Sequence, residues 1–93
     1  MTETQGIHWG LLDVLEERQL THGDFSRNAE TAQAIKHLLF EANRYAMRAS
    51  QPEALDLIAT KLARIVTGNP DEPDHWRDIA GYATLVLGEL TDD

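Results

Sequence analysis

Two pairs of charged residues stand at helical spacing in the second half of the chain. Lys61 and Arg64 are three residues apart and Asp74 and Asp78 are four apart, so each pair would share one side of a helix. Arginine offers a planar fork to phosphate or carboxylate groups, and lysine offers a mobile point charge. Two carboxylates one turn apart can hold Mg²⁺ with water and a substrate phosphate. The pairs predict a site for an anionic, phosphate-bearing ligand, with Mg²⁺ as a candidate cofactor.

Each pair also has a simpler structural interpretation, which the sequence leaves open. Asp74 is well placed to cap a helix, and Asp78 would be an acid that the positive end of the helix dipole favours. Lys61 and Arg64 would then form salt bridges to these two aspartates, either within one chain or across a dimer.

A turn in the first third of the chain carries a further set of polar groups. His22-Gly23-Asp24 combines a titratable ring with a carboxylate, so His22 and Asp24 are candidate ligand contacts and candidate general bases. Asp24 is equally placed to cap the helix that follows. Tyr82 is a candidate for stacking on a base. The chain shows no zinc-type histidine spacing, no phosphate-binding glycine loop and no nucleophile elbow.

Composition limits the class of protein and its partners. Sixteen acidic residues against eight basic ones give a net charge of −8, which disfavours binding to duplex nucleic acid or to an anionic membrane. The chain has no cysteine, so a disulfide framework is excluded. It shows neither a signal peptide nor the ~20-residue apolar stretch of a membrane span. A soluble, cytoplasmic protein is therefore expected.

Hydrophobic periodicity predicts one all-α domain over residues 1–93, with residues 1–6 and 91–93 frayed. A short first helix runs from Trp9 to about Arg18, and a long second helix runs from about Ser26 to Ala49. Together with two later helices, these would form a compact bundle of about four helices, two of them long and central.

The two later helices carry clear start and stop signals. Ser50-Gln51-Pro52-Glu53 reads as a capping box with proline in the first turn, and Gly68-Asn69-Pro70 ends that helix. The last helix follows Pro73, with Asp74 as its predicted cap. The side chains predicted to form the core of the last three helices include Leu38, Tyr45, Leu62, Val66, Trp76, Leu87 and Leu90.

The opposite sides of the two later helices are also unusual. Around the circumference of its helix, Leu57 falls between the two cations, Lys61 and Arg64. On the last helix, Leu85 falls between two interior glycines, Gly81 and Gly88. Each helical glycine costs about 1 kcal/mol relative to alanine. This pattern indicates a second buried face, with a close backbone or ligand at the glycines. The face would be a dimer interface or a pocket, and a homo-oligomer is expected.

Longer stretches resemble known families. Three stretches of the chain resemble a family of short, uncharacterised phage and prophage proteins. They are Thr21-His22-Gly23-Asp24-Phe25, Lys61-Leu62-Ala63-Arg64-Ile65 with Gly68-Asn69, and the run from Asp74 to Ala83. More distantly, the layout is similar to the MazG-like all-α nucleotide pyrophosphohydrolases, which hold Mg²⁺ with acidic motifs on two helices. Asp78, preceded by Asp74 or His75, matches part of the second motif, whereas Lys61 and Arg64 stand where the first motif has acids.

These observations lead to one leading hypothesis and two alternatives. The leading hypothesis is a phage-type, non-hydrolytic nucleotide-binding protein in which Lys61 and Arg64 contact phosphate and Asp74 and Asp78 orient the cations or bind Mg²⁺. Such a protein could sequester a host nucleotide signal. The first alternative is a Mg²⁺-dependent nucleoside triphosphate pyrophosphohydrolase. The second is an acidic protein that inhibits a basic host protein.

Overall fold

The computed structural model describes residues 24–91, and these residues form three α-helices and no strand. The helices are α1 (Phe25–Ala42), α2 (Ser50–Thr67) and α3 (Pro73–Thr91). The all-α class is confirmed for this part of the chain. The predicted first helix and His22 lie outside the described residues, so the prediction of four helices stays a prediction.

Helix α1 begins as predicted and ends earlier than predicted. The Asp24 carboxylate accepts a hydrogen bond of 3.2 Å from the Arg27 backbone N–H, which is the geometry of an N-cap. The predicted continuation to Ala49 is wrong, because Asn43 adopts an extended backbone. The Asn43 side chain accepts a 3.3 Å hydrogen bond from the Tyr45 N–H. This local bond competes with the helical ladder and ends the helix.

The predicted capping box of α2 is not formed. Ser50 is already helical, and Ala49 precedes it without a side-chain cap. The Ser50 hydroxyl instead donates a 2.8 Å hydrogen bond to Glu89 on α3. A contact between helices has therefore replaced the local one. The end of α2 agrees with the sequence, since Gly68 follows the last helical residue.

Helix α3 begins one residue before its predicted cap. Pro73 is the first helical residue, so Asp74 lies inside the first turn and does not cap the helix. Proline suits this position because its fixed φ is close to the helical value and its missing N–H would have no partner in the helix. Thr91 is the last helical residue of α3.

The three helices form a single antiparallel layer with α2 in the middle. On one side of α2, the Thr67 hydroxyl hydrogen-bonds the buried Asn28 side chain of α1. On the other side, Lys61 and Ser50 contact α3. Within the described residues, α1 and α3 do not contact each other. Every described helix-helix contact therefore includes α2.

Small side chains allow the helices to approach closely. Ala59 and Ala63 of α2 are completely buried, and Ala32 of α1 is nearly so. Among the large side chains of residues 24–91, that of His75 on α3 is completely buried. The core between these helices thus consists of alanines, the His75 imidazole and Ile65, while several of the predicted leucines are not part of it. Ala59 and Ile65 were among the side chains predicted to form the core.

Several side chains predicted to form the core are exposed in the described structure. They are Leu38, Tyr45, Leu62, Val66, Trp76, Leu87 and Leu90, with exposed fractions from 39% to 84%. The reason is geometric, because a helix in a single layer buries only the sides that face its neighbours. None of the described helices is long and apolar enough to cross a membrane.

Candidate functional site

An ion pair between α2 and α3 lies at the centre of the predicted site. Lys61 Nζ is 2.9 Å from Asp78 Oδ2, and the Lys61 side chain is only 15% exposed. The hydrogen bond from Lys61 is the main reason that the pKa of Asp78 lies below its ordinary value of 3.8. The two residues are thus brought together within one chain, in the salt bridge that was the simpler interpretation of this spacing.

Arg64 is the second cation of the site, and among the described residues it does not form an ion pair as Lys61 does. It is half-buried on α2, one turn beyond Lys61. Within residues 24–91 it makes no hydrogen bond or ion pair. Because α2 and α3 are antiparallel and Lys61 pairs with Asp78, Arg64 lies level with the first turn of α3. Among the described residues, the site therefore contains a half-buried guanidinium without a polar partner.

The two predicted metal-binding acids are each held by a different cation. The Asp74 carboxylate lies 2.6 Å from the Arg77 guanidinium, and both side chains are exposed. Asp78 pairs with Lys61. Residues 24–91 contain no cluster of three or more histidine or acidic side chains that could hold a metal ion. A divalent cation at this place would have to displace at least one of these ion pairs.

His75, which the sequence resemblance offered only as an alternative to Asp74 in the metal-binding motif, is completely buried on the side of α3 that faces α2. Its charge, when it is protonated, is one of the smaller contributions to the lowered pKa of Asp78. The sequence signal that could have identified it is its spacing. His75, Asp78 and Tyr82 recur every three or four residues on the side of α3 that contacts α2.

The other residues that the sequence singled out on α2 and α3 are Tyr82, Leu57, Leu85 and the two glycines, and they differ in exposure. Tyr82 is half-buried and lies one turn beyond Asp78 on α3. Leu57 is half-buried and Leu85 is 69% exposed. Within the described chain, no atom lies within 4 Å of the position that a Cβ would take at either glycine of α3. The close approach predicted at these glycines is thus not made by residues 24–91.

Asp24, the other candidate base, belongs to a different part of the layer. It caps α1, and no described contact connects it to Lys61 or Asp78. Its neighbour His22 lies outside the described residues. The structure therefore accounts for Asp24 by its role at the helix start.

An open cleft of about 600 Å³ between α1 and α2 was not predicted from the sequence. Its lining consists of Gln33, Lys36, His37, Phe40, Glu41 and Asp56. The two basic residues of the cleft already have acidic partners, His37 with Glu41 at 2.7 Å and Lys36 with Asp56 at 4.0 Å. The cleft depends on the register of two helices, which periodicity alone does not provide.

Comparison with known proteins places most of the chain in one family. Residues 12–90 match the family described as domain of unknown function (DUF6378). No curated protein and no solved structure matches the chain. Any assignment of activity must therefore be argued from the site itself.

Proposed function

We propose that this chain, which belongs to the DUF6378 family, binds a small phosphate-bearing anion between α2 and α3 without hydrolysing it. Nucleotides are the first class of ligand to consider. The observation that carries the proposal is the pair of half-buried cations on one side of α2. Lys61 is held in place by Asp78, and Arg64 has no partner within the described residues.

Local charge supports an anionic ligand even though the chain as a whole is acidic. The proposed site contains three cations, Lys61, Arg64 and Arg77, and two carboxylates, Asp74 and Asp78, and Lys61 and Arg77 each pair with one of the carboxylates. The site therefore has an excess of positive charge in a chain whose net charge is −8. A partly buried cation attracts an anion more strongly than an exposed one, because water screens it less.

Each residue of the site has a distinct proposed role. The Arg64 guanidinium binds two phosphate oxygens through its planar fork, and Lys61 adds a point charge. Asp78 keeps the Lys61 ammonium in place before the ligand arrives and competes with phosphate for it afterwards. Tyr82, half-buried at the next turn, offers a ring on which a nucleobase can stack.

The arrangement favours binding over hydrolysis. Phosphoryl transfer by Mg²⁺ needs carboxylates that are free to hold the ion. Here Asp74 and Asp78 are both in ion pairs, and α2 presents Lys61 and Arg64 where MazG-like enzymes have acids. In this proposal Asp74 and Asp78 orient the cations of the protein, and any Mg²⁺ would arrive with a nucleotide ligand, held by its phosphates.

The biological setting of the proposal rests on the sequence resemblance to phage and prophage proteins and, more distantly, to MazG-like enzymes. A cytoplasmic binder without hydrolytic activity would sequester a host nucleotide signal. This step is an analogy between families and adds no residue to the site. The acidic surface supports a competing proposal, an inhibitor of a basic host protein, which predicts salt-sensitive protein binding and no small-molecule ligand.

Thermal unfolding with a panel of nucleoside triphosphates and cyclic oligonucleotides, each with and without Mg²⁺, tests the proposal. A ligand at 100 times its dissociation constant stabilises the fold by about 2.7 kcal/mol. The shift should be lost in Lys61→Ala and Arg64→Ala. It should persist in Lys36→Ala, which removes a lysine that is paired with an aspartate elsewhere on the layer.

Two results would count against the proposal. A panel without any stabilising ligand would exclude the nucleotide site and favour a protein partner. Release of pyrophosphate from a bound triphosphate, abolished by Asp78→Asn, would establish an enzyme in place of a binder. In that case His22 and Asp24 return as candidate bases.

A further inference from the structure

The cleft between α1 and α2 contains an ion pair that differs from the others in the described structure. Lys36 Nζ and Asp56 Oδ1 are 4.0 Å apart, whereas the other three described ion pairs have separations of 2.6 to 2.9 Å. A direct charge-assisted hydrogen bond needs about 2.7–2.9 Å. Within residues 24–91, neither the Lys36 ammonium nor the Asp56 carboxylate makes a hydrogen bond. Two opposite charges therefore lie side by side in the cleft with hydrogen-bonding capacity that the described residues do not use.

These two charges are partly shielded from water. The Lys36 side chain is 23% exposed and that of Asp56 is 39% exposed, whereas the side chains of His37 and Glu41, which also line the cleft, are much more exposed. Water screens a half-buried charge less than an exposed one. A ligand that bonds both Lys36 and Asp56 therefore gains more than it would from an ion pair on the open surface.

The cleft has room for a small molecule and offers it an aromatic surface. Its volume of about 600 Å³ falls within the range of ligand pockets, about 300–1,000 Å³. Phe40, which is 42% exposed, lies one turn beyond Lys36 on the same side of α1. Gln33 lies about one turn before Lys36, and within the described residues its amide makes no hydrogen bond. The charged pair is therefore flanked along α1 by a ring and by an amide.

The separation of 4.0 Å between Lys36 and Asp56 suits a ligand that carries both charges on one carbon atom. In an α-amino acid, standard bond lengths place the ammonium nitrogen about 2.7 Å from the nearer carboxylate oxygen. The ligand carboxylate can accept from Lys36 while the ligand ammonium donates to Asp56, each at about 2.8 Å. The result is a closed ring of four alternating charges, in which every pair of neighbours attracts.

The charges of the cleft disfavour other classes of small ligand. The lining balances two basic side chains, Lys36 and His37, with two carboxylates, Glu41 and Asp56. An anion with several charges would meet both carboxylates, and a simple amine would meet the Lys36 ammonium. A zwitterion carries no net charge and pairs with one group of each sign.

We propose that the cleft between α1 and α2 binds a free α-amino acid with an apolar or aromatic side chain. Lys36 binds its carboxylate, Asp56 binds its ammonium, and Phe40 packs against its side chain. The anion site lies between α2 and α3 and shares no side chain with this cleft. The proposal is therefore independent of what the anion site binds.

Titration of the isotope-labelled full chain with the apolar and aromatic L-amino acids tests the proposal. In heteronuclear NMR spectra, at least one of them should shift the amide signals of Lys36, Phe40 and Asp56 in a saturable way. The amino acid that binds most tightly then supplies two matched ligands, its analogue without the amino group and its analogue without the carboxylate. Each analogue should bind at least about tenfold more weakly, because each loses a hydrogen bond between charged groups.

A pair of asparagine variants tests the residue that should bind the ammonium. Asp56→Asn keeps the size of the side chain and should weaken amino acid binding about tenfold or more. Asp71→Asn makes the same change at an exposed position outside the cleft and should leave binding unchanged. Because the analogue series uses the wild-type chain, it remains decisive if Asp56→Asn loses helix content by circular dichroism.

Three results would overturn the proposal. The first is the absence of saturable shifts at the cleft with every apolar and aromatic amino acid. The second is an analogue with a single charge that binds as tightly as its parent amino acid. The third is an equal loss of affinity in Asp56→Asn and Asp71→Asn.

Discussion

Lys61 Nζ lies 2.9 Å from Asp78 Oδ2, so the same carboxylate that positions the lysine also competes with any incoming anion. Asp78→Asn removes the competing charge and keeps the size of the side chain. We expect it to raise the affinity for a phosphate-bearing ligand by roughly threefold to tenfold, measured by calorimetry without Mg²⁺. A loss of affinity would instead mean that holding the Lys61 ammonium in place matters more for binding than the competing charge of Asp78.

The same ion pair predicts how stability depends on pH. The pKa of Asp78 is lowered below 3.8, so its contribution is present above that value and is lost as the pH falls through the lowered pKa. Wild type and Asp78→Asn should therefore differ by a constant amount between pH 5 and pH 7, and the difference should shrink in acid. Urea midpoints measure it. In a Lys61→Met background, the stability difference caused by Asp78→Asn should depend much less on pH.

Asp24 should act on stability and leave ligand affinity unchanged. Asp24→Ala removes the acceptor for the Arg27 N–H and should cost about 1 kcal/mol of unfolding free energy in urea denaturation. Asp24→Asn keeps an acceptor oxygen and should recover most of that loss. If Asp24→Ala reduced nucleotide affinity under conditions in which the variant is fully folded, Asp24 would be part of the binding site.

Gly81→Ala and Gly88→Ala should each stabilise the protein. A new Cβ meets no atom within 4 Å among residues 24–91, and alanine favours a helix interior over glycine by up to about 1 kcal/mol. Thermal unfolding measures the gain, which should occur with unchanged oligomeric state. If either substitution weakened the binding of the anion, the glycines would be sites of close approach, as the sequence had indicated.

Ala63→Leu should destabilise the layer because Ala63 is completely buried where α2 packs against its neighbours. Adding three carbon atoms to such a contact costs about 1–3 kcal/mol. Ala34→Leu makes the same change at an exposed position of α1 and should have little effect. Comparable losses in the two variants would show that alanine packing does not hold the helices together.

Local signals were sufficient to predict the starts and ends of helices only where no tertiary contact competes. The cap at Asp24 and the end of α2 at Gly68 depend on nearest neighbours, and both are confirmed. Ser50 was predicted to bond locally, yet its hydroxyl reaches Glu89 on another helix. Helix α1 ends at Asn43, whose side chain accepts a hydrogen bond from the Tyr45 N–H. The helical spacing of the surrounding apolar residues gave no indication of this turn.

Periodicity located apolar stripes on the helices and could not say which of their side chains the chain itself buries. Leu62 and Val66 recur with the spacing of a core stripe, and the spacing is the same whether the partner is a helix of this chain or of another. The completely buried His75 and the cleft around Phe40 were missed for a related reason. Both depend on the register between helices, which no single helix encodes.

The absence of contact between α1 and α3 within the described residues has a kinetic consequence. Each packed pair is joined by a loop of only five to seven residues, 43–49 or 68–72, so closing either hairpin costs little chain entropy. Low contact order of this kind is typical of chains that fold in microseconds to milliseconds. Substitutions in α2 should slow folding, because both hairpins need that helix, whereas exposed changes on α1 or α3 should mainly alter the rate of unfolding.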